Sequence, residues 1–399
     1  MRPGPSSSDP SSDPRFGSSQ GPERGSNPPL HGQPSRVLIV RLSHLGDAIG
    51  ALPLFHALRE ALPGARIAWA IEREFAGLLE QLPGLDERLI FERASGWRAP
   101  VRFREFAARL RRFAPEVAID AQGNAKSHLT VLASKAPRRF APHLEECREP
   151  AACRLLRAVR PARTAGAHAR DRLQHLANLV GAELVGRPLP LTRGDLDLSA
   201  LERAESRERL AASFPRGLDW VFHLGRAGDI RSWSAQRSFE FLEAVRQRGE
   251  RVLVLAGPAE RDVARQLASR LPEDSGRVFA DAPQPLRELA ADLTAAAGLG
   301  ARFVGPDSGP IHLAAACGLP CTLLAGPQDP ARTGPWPPPS NRSPHRALLA
   351  PTDLACRPCL RRTCRFERPQ ACLEELPASA VFDRADGYSS RASTSATSS

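Results

Sequence analysis

The sequence predicts an α/β protein made of two parallel-sheet halves. Short apolar runs such as residues 36–42 (RVLIVRL) alternate with segments of helical periodicity. That alternation lapses over residues 184–200 (LVGRPLPLTRGDLDLSA), whose prolines and glycines read as a linker, and then restarts. The length of 399 residues also suits two domains at roughly 100–200 residues each.

In order, residues 36–42 read as a buried strand, 49–62 as a helix and 66–71 as a second strand. Residues 101–113 place Phe103, Phe106, Leu110 and Phe113 three or four apart, a helical stripe with Arg102, Arg109 and Arg112 outside it. A strand at 117–120 and an apolar helix near 129–133 follow. Beyond the linker come a strand at 220–223, a helix near 239–248, and a strand at 251–256 with a helix running to about Leu271. A strand at 302–304, a helix from Pro310 and a strand at 321–325 complete the series. Residues 1–34 and the last dozen have almost no apolar anchors to offset the entropy of ordering, so tails at 1–35 and 388–399 are expected to be disordered. The halves are then expected at 36–190 and 191–387. Ligands of open parallel sheets bind beyond the strands' carboxyl ends, which places the expected site in a cleft between the halves.

Composition narrows the function. No run reaches the ~18–20 apolar residues of a membrane span, and the start lacks the apolar core of a secretory signal. Lys plus Arg total 55 against 44 acidic residues, a net charge of +11. That surplus suits an anionic lipid surface or a phosphorylated substrate, and equally the Arg-, Ala- and Pro-rich usage of a GC-rich genome. With one tyrosine and no basic run interleaved with aromatics, a nucleic-acid partner is not expected.

Four strand–turn–helix segments are able to carry chemistry. In VRLSHLGDAIGALP (40–53), Asp47 stands near a helix start, either as an N-cap or as a general base at the cleft. In FVGPDSGPIHLAAACGLP (303–320), Pro310 suits the first helical position. The helix start offers backbone N–H groups to a phosphate, with His312 either a further donor or a half-buried histidine. In VFHLGRAGDIRSW (221–233), Arg231 is either a bidentate phosphate ligand or a solvated loop arginine. In AGPAERD (256–262), Glu260 suits a sugar diol or the first turn of a helix. No dinucleotide or P-loop glycine fingerprint is present, and Asp195-Leu196-Asp197, inside the linker, reads as a chance metal-type pattern.

Cysteines are absent before Cys147, and four of the eight fall in one stretch at Cys356, Cys359, Cys364 and Cys372. The first pair has the two-residue spacing of tetrahedral zinc; the later gaps are looser. A structural metal and four reduced thiols packing a C-terminal subdomain are both open, with disulfides the lesser expectation.

Together the four segments resemble glycosyltransferase family 9, the bacterial heptosyltransferases of lipopolysaccharide core assembly, over about residues 36–385. AGPQDP and TGPW (325–336) add to the likeness, and CRPCLRRTCRFERPQACL (356–373) resembles the second-heptose branch. The resemblance implies a GT-B fold: two Rossmann-like domains facing a central cleft, the first holding the acceptor and the second the nucleotide-sugar. It implies inverting transfer of a heptose from an ADP-sugar to a lipid-linked glycan, without an obligatory metal or other cofactor. It also implies a cytoplasmic enzyme in peripheral contact with the inner membrane, where the Arg-lined helix at 101–113 could rest on anionic lipid. By position, Asp47 becomes the base, while Asp307, Ser308, Gly309 and His312 meet the donor's sugar and diphosphate. Glu260 would hold the ribose, and Arg231 stands where the family has Lys. Leu224, Gly225 and Arg226 replace the hydroxyl residues usual in the preceding loop. The rival expectations are a nucleotide-sugar epimerase of the same fold and a non-catalytic basic binding protein.

Overall fold

In the computed structural model, residues 32–96, 98–164, 168–272, 276–279, 284–351, 354–361 and 363–383 are described. The expected disordered tails lie outside these residues, apart from 32–35.

The first half is a parallel five-stranded sheet of β1 (Arg36–Val40), β2 (Arg66–Glu72), β3 (Glu87–Phe91), β4 (Val117–Asp120) and β5 (Arg138–Phe140), in the order β3-β2-β1-β4-β5. The second is a parallel six-stranded sheet of β6 (Trp220–His223), β7 (Val252–Leu255), β8 (Gly276–Phe279), β9 (Arg302–Pro306), β10 (Cys321–Leu324) and β11 (Arg346–Leu348). Its order is β11-β10-β9-β6-β7-β8. The strands expected at 117–120 and 220–223 have those bounds, whereas β3, β5, β8 and β11 were not anticipated. The helix expected from residue 49 begins earlier, at Leu45–Ala61, and the linker is shortened because the Ala169–Val185 helix reaches into it.

Side chains of each strand alternate between two cores, as expected of a sheet covered on both faces. In β1, Val37 and Ile39 face a central core while Leu38 and Val40 face an outer one with Phe106 and Leu110. In β6, Val221 faces the same central core and Trp220 and Phe222 an outer one with Phe241 and Phe382. The central core therefore runs unbroken from one sheet to the other, through the Leu45–Ala61, Ala169–Val185, Leu286–Gly298 and Gly309–Ala316 helices.

Each sheet reverses its strand order once, between β1 and β4 and between β6 and β9. Those reversals open the crevices where doubly wound sheets bind ligands. The segment after β1 carries Asp47, and the segments after β6 and β9 carry Arg231 and Asp307. The Leu45–Ala61 and Gly309–Ala316 helices leave these crevices and pack on each other. Their first turns approach so closely that an added Cβ on Gly309 would lie 2.6 Å from Leu45 Cβ. Gly309→Ala is therefore expected to part the two helix starts and lower kcat/KM by about tenfold to a hundredfold. Gly50→Ala, with nothing within 4 Å of its added Cβ, should leave steady-state kinetics unchanged.

Candidate functional site

On the first half, β1 ends in a turn tied to the neighbouring strand. Gln122 Oε1 accepts the Leu42 N–H at 2.8 Å, and the Arg41 guanidinium donates to the Ala121 carbonyl. His44 takes the N-cap position at φ 69°, in the left-handed region that costs a non-glycine residue about 1–2 kcal/mol. Asp47 is the third residue of the helix, not its cap, and caps no backbone N–H. Its carboxylate turns instead to Arg41 Nη2 at 2.7 Å and His44 Nδ1 at 3.5 Å, with the side chain 42% exposed. The surrounding protein pushes its pKa up, but the Arg41 and His44 charges outweigh that and hold the carboxyl well below the usual carboxylate range. Asp47 is thus an ionised, partly open carboxylate in the first turn of a helix.

The second half faces it. An added Cβ on Gly46 would lie 2.6 Å from His312 Cδ2, so the histidine ring rests on the turn that presents Asp47. His312 Nε2 lies 3.4 Å from Asp307 Oδ1, and the other Asp307 oxygen accepts from Thr333 Oγ1 at 2.8 Å. Ser308 occupies the N-cap position of the Gly309–Ala316 helix without capping it; its Oγ meets His223 Nδ1 at 3.2 Å, joining the ends of β6 and β9. Burial lowers the His223 pKa to about 4, so that imidazole is neutral. Pro310 is the second helical residue rather than the first, since the helix starts at Gly309.

Arg231 lies in the loop after β6 with its side chain 40% exposed, and it is held by partners. Asp229 accepts from its Nε at 2.9 and 3.2 Å and from its Nη2 at 2.5 Å, while its Nη1 donates to the Asp307 carbonyl at 3.2 Å. This fork holds the guanidinium beside the helix start. Glu260 takes the N-cap position of the Arg261–Ala268 helix but makes no capping bond. It is buried, and its Oε1 accepts the Ala227 N–H at 3.2 Å, which ties the turn after β7 to the loop after β6.

Asp47, Arg231, Asp307, Ser308, Gly309 and His312 are therefore gathered around the facing helix starts, and Glu260 closes the far side of the loop that carries Arg231. Sequence inspection missed the groups that orient them. Arg41 stood in the quoted motif and Thr333 in TGPW, but nothing in their spacing showed which carboxylate each would meet. It also missed Arg172 and Arg332, half-buried, whose guanidinium groups make no ion pair or hydrogen bond among the described residues. Arg172 lies close enough to Arg332, Arg41 and Asp47 for their charges to act on it. Asp47 thus has cations from both halves nearby, with the Glu146 carboxylate also acting on Arg172.

Two other clusters of metal-ligating type occur among the described residues, His128 with Cys147 and Cys153, and His56 with Asp195 and Asp197. In the first, the Arg160 guanidinium already fills the cationic place, 3.2 Å from His128 Nε2 and 3.9 Å from Cys147 Sγ. In the second, Arg193 pairs with both aspartates.

A family model described as glycosyltransferase family 9 (heptosyltransferase) matches residues 103–369. The chain belongs to this family. It is 32% identical over 341 residues to lipopolysaccharide heptosyltransferase 1 of Pseudomonas aeruginosa, covering 83% of this chain and 88% of that one. The solved structure of E. coli heptosyltransferase WaaC with ADP aligns at a TM-score of 0.65 and 22% identity, over 88% of this chain and 99% of that one. E. coli ADP-heptose lps heptosyltransferase II aligns at 0.66 and 19% identity, over 88% and 98%. As a family 9 member the chain is a glycosyltransferase of GT-B fold; the epimerase and the non-catalytic binding protein are not favoured.

Proposed function

We propose that this glycosyltransferase moves a heptose from ADP-heptose onto a lipopolysaccharide core acceptor with inversion at the anomeric carbon. The observation that carries it is the ionised Asp47 carboxylate facing a second half whose helix start, Arg231 and His312 converge on one place. The names of the relatives supply the sugar and the acceptor class.

In this mechanism Asp47 accepts the proton of the acceptor hydroxyl as its oxygen bonds to the anomeric carbon. The bond from that carbon to the diphosphate breaks, and ADP leaves with the electron pair. Charge grows on the diphosphate, where the Gly309–Ala316 helix start and Arg231 stabilise it by fixed electrostatics. Glu260 is assigned to the ribose diol, and Asp307 and His312 to the sugar. Arg41, Arg172 and Arg332 favour an acceptor that carries negative charge near its nucleophilic hydroxyl. The halves divide the work, residues 36–190 holding the acceptor and 191–387 the donor.

No helix among the described residues is long and apolar enough to cross a membrane. A lipid-linked acceptor would then be met at the cytoplasmic face of the inner membrane by surface contact. Arg104 and Arg111, exposed on the Arg98–Phe113 helix, are suited to anionic headgroups.

Donor identity is tested by a thermal-shift panel of ADP-, UDP- and GDP-sugars. At about 100 times its Kd, the ADP-sugar should stabilise the chain by roughly 2.7 kcal/mol, with the others giving less. A larger shift with UDP- or GDP-sugars would contradict the assignment.

A further inference from the structure

The buried Asp307 carboxylate is held by side chains alone. Among the described residues its hydrogen-bond partners are Thr333 Oγ1 at 2.8 Å and His312 Nε2 at 3.4 Å. The Thr333 bond is the shorter, and it is charge-assisted. A hydroxyl has one proton to give, and Asp307 is a nearer acceptor for it than the Asp329 carbonyl at 3.2 Å. Thr333 thus fixes which way the carboxylate turns. It ends the short Pro330–Thr333 helix, and the turn beyond it is tight. The Gly334 N–H donates to the Pro330 carbonyl at 3.0 Å, and an added Cβ on Gly334 would lie 2.5 Å from that same oxygen.

The Gly334 carbonyl, by contrast, reaches the other half. It accepts at 3.1 Å from Nε2 of His168, the buried N-cap residue of the Ala169–Val185 helix. His168 Nδ1 accepts the Arg170 N–H at 3.1 Å, so the single ring proton sits on Nε2 and both nitrogens are used. Burial favours that neutral ring. Trp336, two residues beyond Gly334, lies against the same helix start. Its ring centroid is 5.1 Å from that of His168 and 5.5 Å from the Arg170 guanidinium. The residue gripped by the first half therefore adjoins the residue that orients Asp307.

We propose that His168 and Thr333 are positioning residues for the transfer, linked through Gly334. His168 holds the Gly334 carbonyl, and the held turn sets the Thr333 hydroxyl on the Asp307 carboxylate. The carboxylate of the donor half is then aimed at the sugar only while the acceptor half is docked against it. A sugar bound to an undocked donor half would meet a carboxylate free to turn, short of the alignment that transfer to an alcohol or to water requires. Transfer is thereby tied to the half that supplies the acceptor. This coupling rests on the assignment of Asp307 to the donor sugar.

Steady-state kinetics of the full chain with ADP-heptose and a lipopolysaccharide core acceptor test it. Thr333→Val keeps the side chain's shape without its hydroxyl and should lower kcat about tenfold to a hundredfold, with ADP affinity by calorimetry little changed. Thr333→Ser should recover most of the rate. His168→Asn keeps an N-cap but is too short for Gly334, and should lose about as much as Thr333→Val; His168→Gln, whose amide reaches the place of Nε2, should recover part. Since both residues act on one carboxylate, His168→Asn combined with Thr333→Val should cost no more than Thr333→Val alone. Losses that multiply in the double variant would overturn the coupling. So would Thr333→Val or His168→Asn at the natural rate while Asp307→Ala is impaired. Asp307→Ala at the natural rate would overturn the assignment of Asp307 itself, and the coupling with it.

Discussion

Asp47→Ala is expected to lower kcat by about 10²- to 10⁴-fold, the usual contribution of a positioned general base. Binding of ADP, measured by calorimetry, should stay within about twofold, because none of the groups assigned to the diphosphate lies on that residue. The wild-type pH profile carries a second signature. Arg41 and His44 hold the Asp47 carboxyl below the usual range, so it stays deprotonated as pH falls and sets no acid limb on kcat/KM between about pH 4 and 7. Arg41→Ala removes the main opposing charge, raises that pKa and should bring an acid limb into the range. The remaining cations near Asp47, His44 and Arg172, limit how far it moves. An unchanged profile in Arg41→Ala, or full activity in Asp47→Ala, would show that another group takes the proton.

Arg231→Ala is expected to cost about 10²- to 10³-fold in kcat, the scale of removing one preorganised donor to a developing negative charge. Arg231→Lys should recover only part of it. The Asp229 carboxylate accepts from both Nε and Nη2 of Arg231, which leaves Nη1 directed at the Asp307 carbonyl. A lysine ammonium is a point charge on a flexible stem and cannot satisfy both partners in that geometry. Asp229→Asn keeps the charge of Arg231 but loosens its fork, and should lower kcat less than Arg231→Ala does. Steady-state kinetics with saturating acceptor separates these outcomes, and equal activity of the Lys and Arg enzymes would refute the role of the fork.

Much of the fold was legible because buried parallel strands read as continuous apolar runs, as in VAID and RVLVLA. The edge strands were not. β5 (RRF) and β11 (RAL) are three residues long and carry arginines, so nothing in them reads as a run. The Ala169–Val185 helix was legible but unread: Leu173, Leu176, Ala177, Val180 and Leu184 form a buried stripe at helical spacing. At the site, residue type and order singled out Asp47, Arg231 and the 307–312 turn. The partners that set their chemistry were hidden, because they come from other elements or from the turn's own geometry. Arg41 reaches Asp47 only because the turn at His44 reverses direction, and Gly46 meets His312 only because the two halves dock through bare helix starts. The cap reading of Asp47 fails for a similar reason, since the helix begins two residues earlier and a nearby guanidinium outcompetes the backbone N–H groups.

The proposed reaction joins an acceptor hydroxyl to an activated heptose between the facing halves. Its most direct test follows ADP release and product anomeric configuration by NMR, with ADP-heptose and a lipopolysaccharide core acceptor lacking that heptose. ADP should form only when both are present, in step with a glycoside of inverted configuration. Turnover of ADP-heptose without acceptor, or a product of retained configuration, would contradict it.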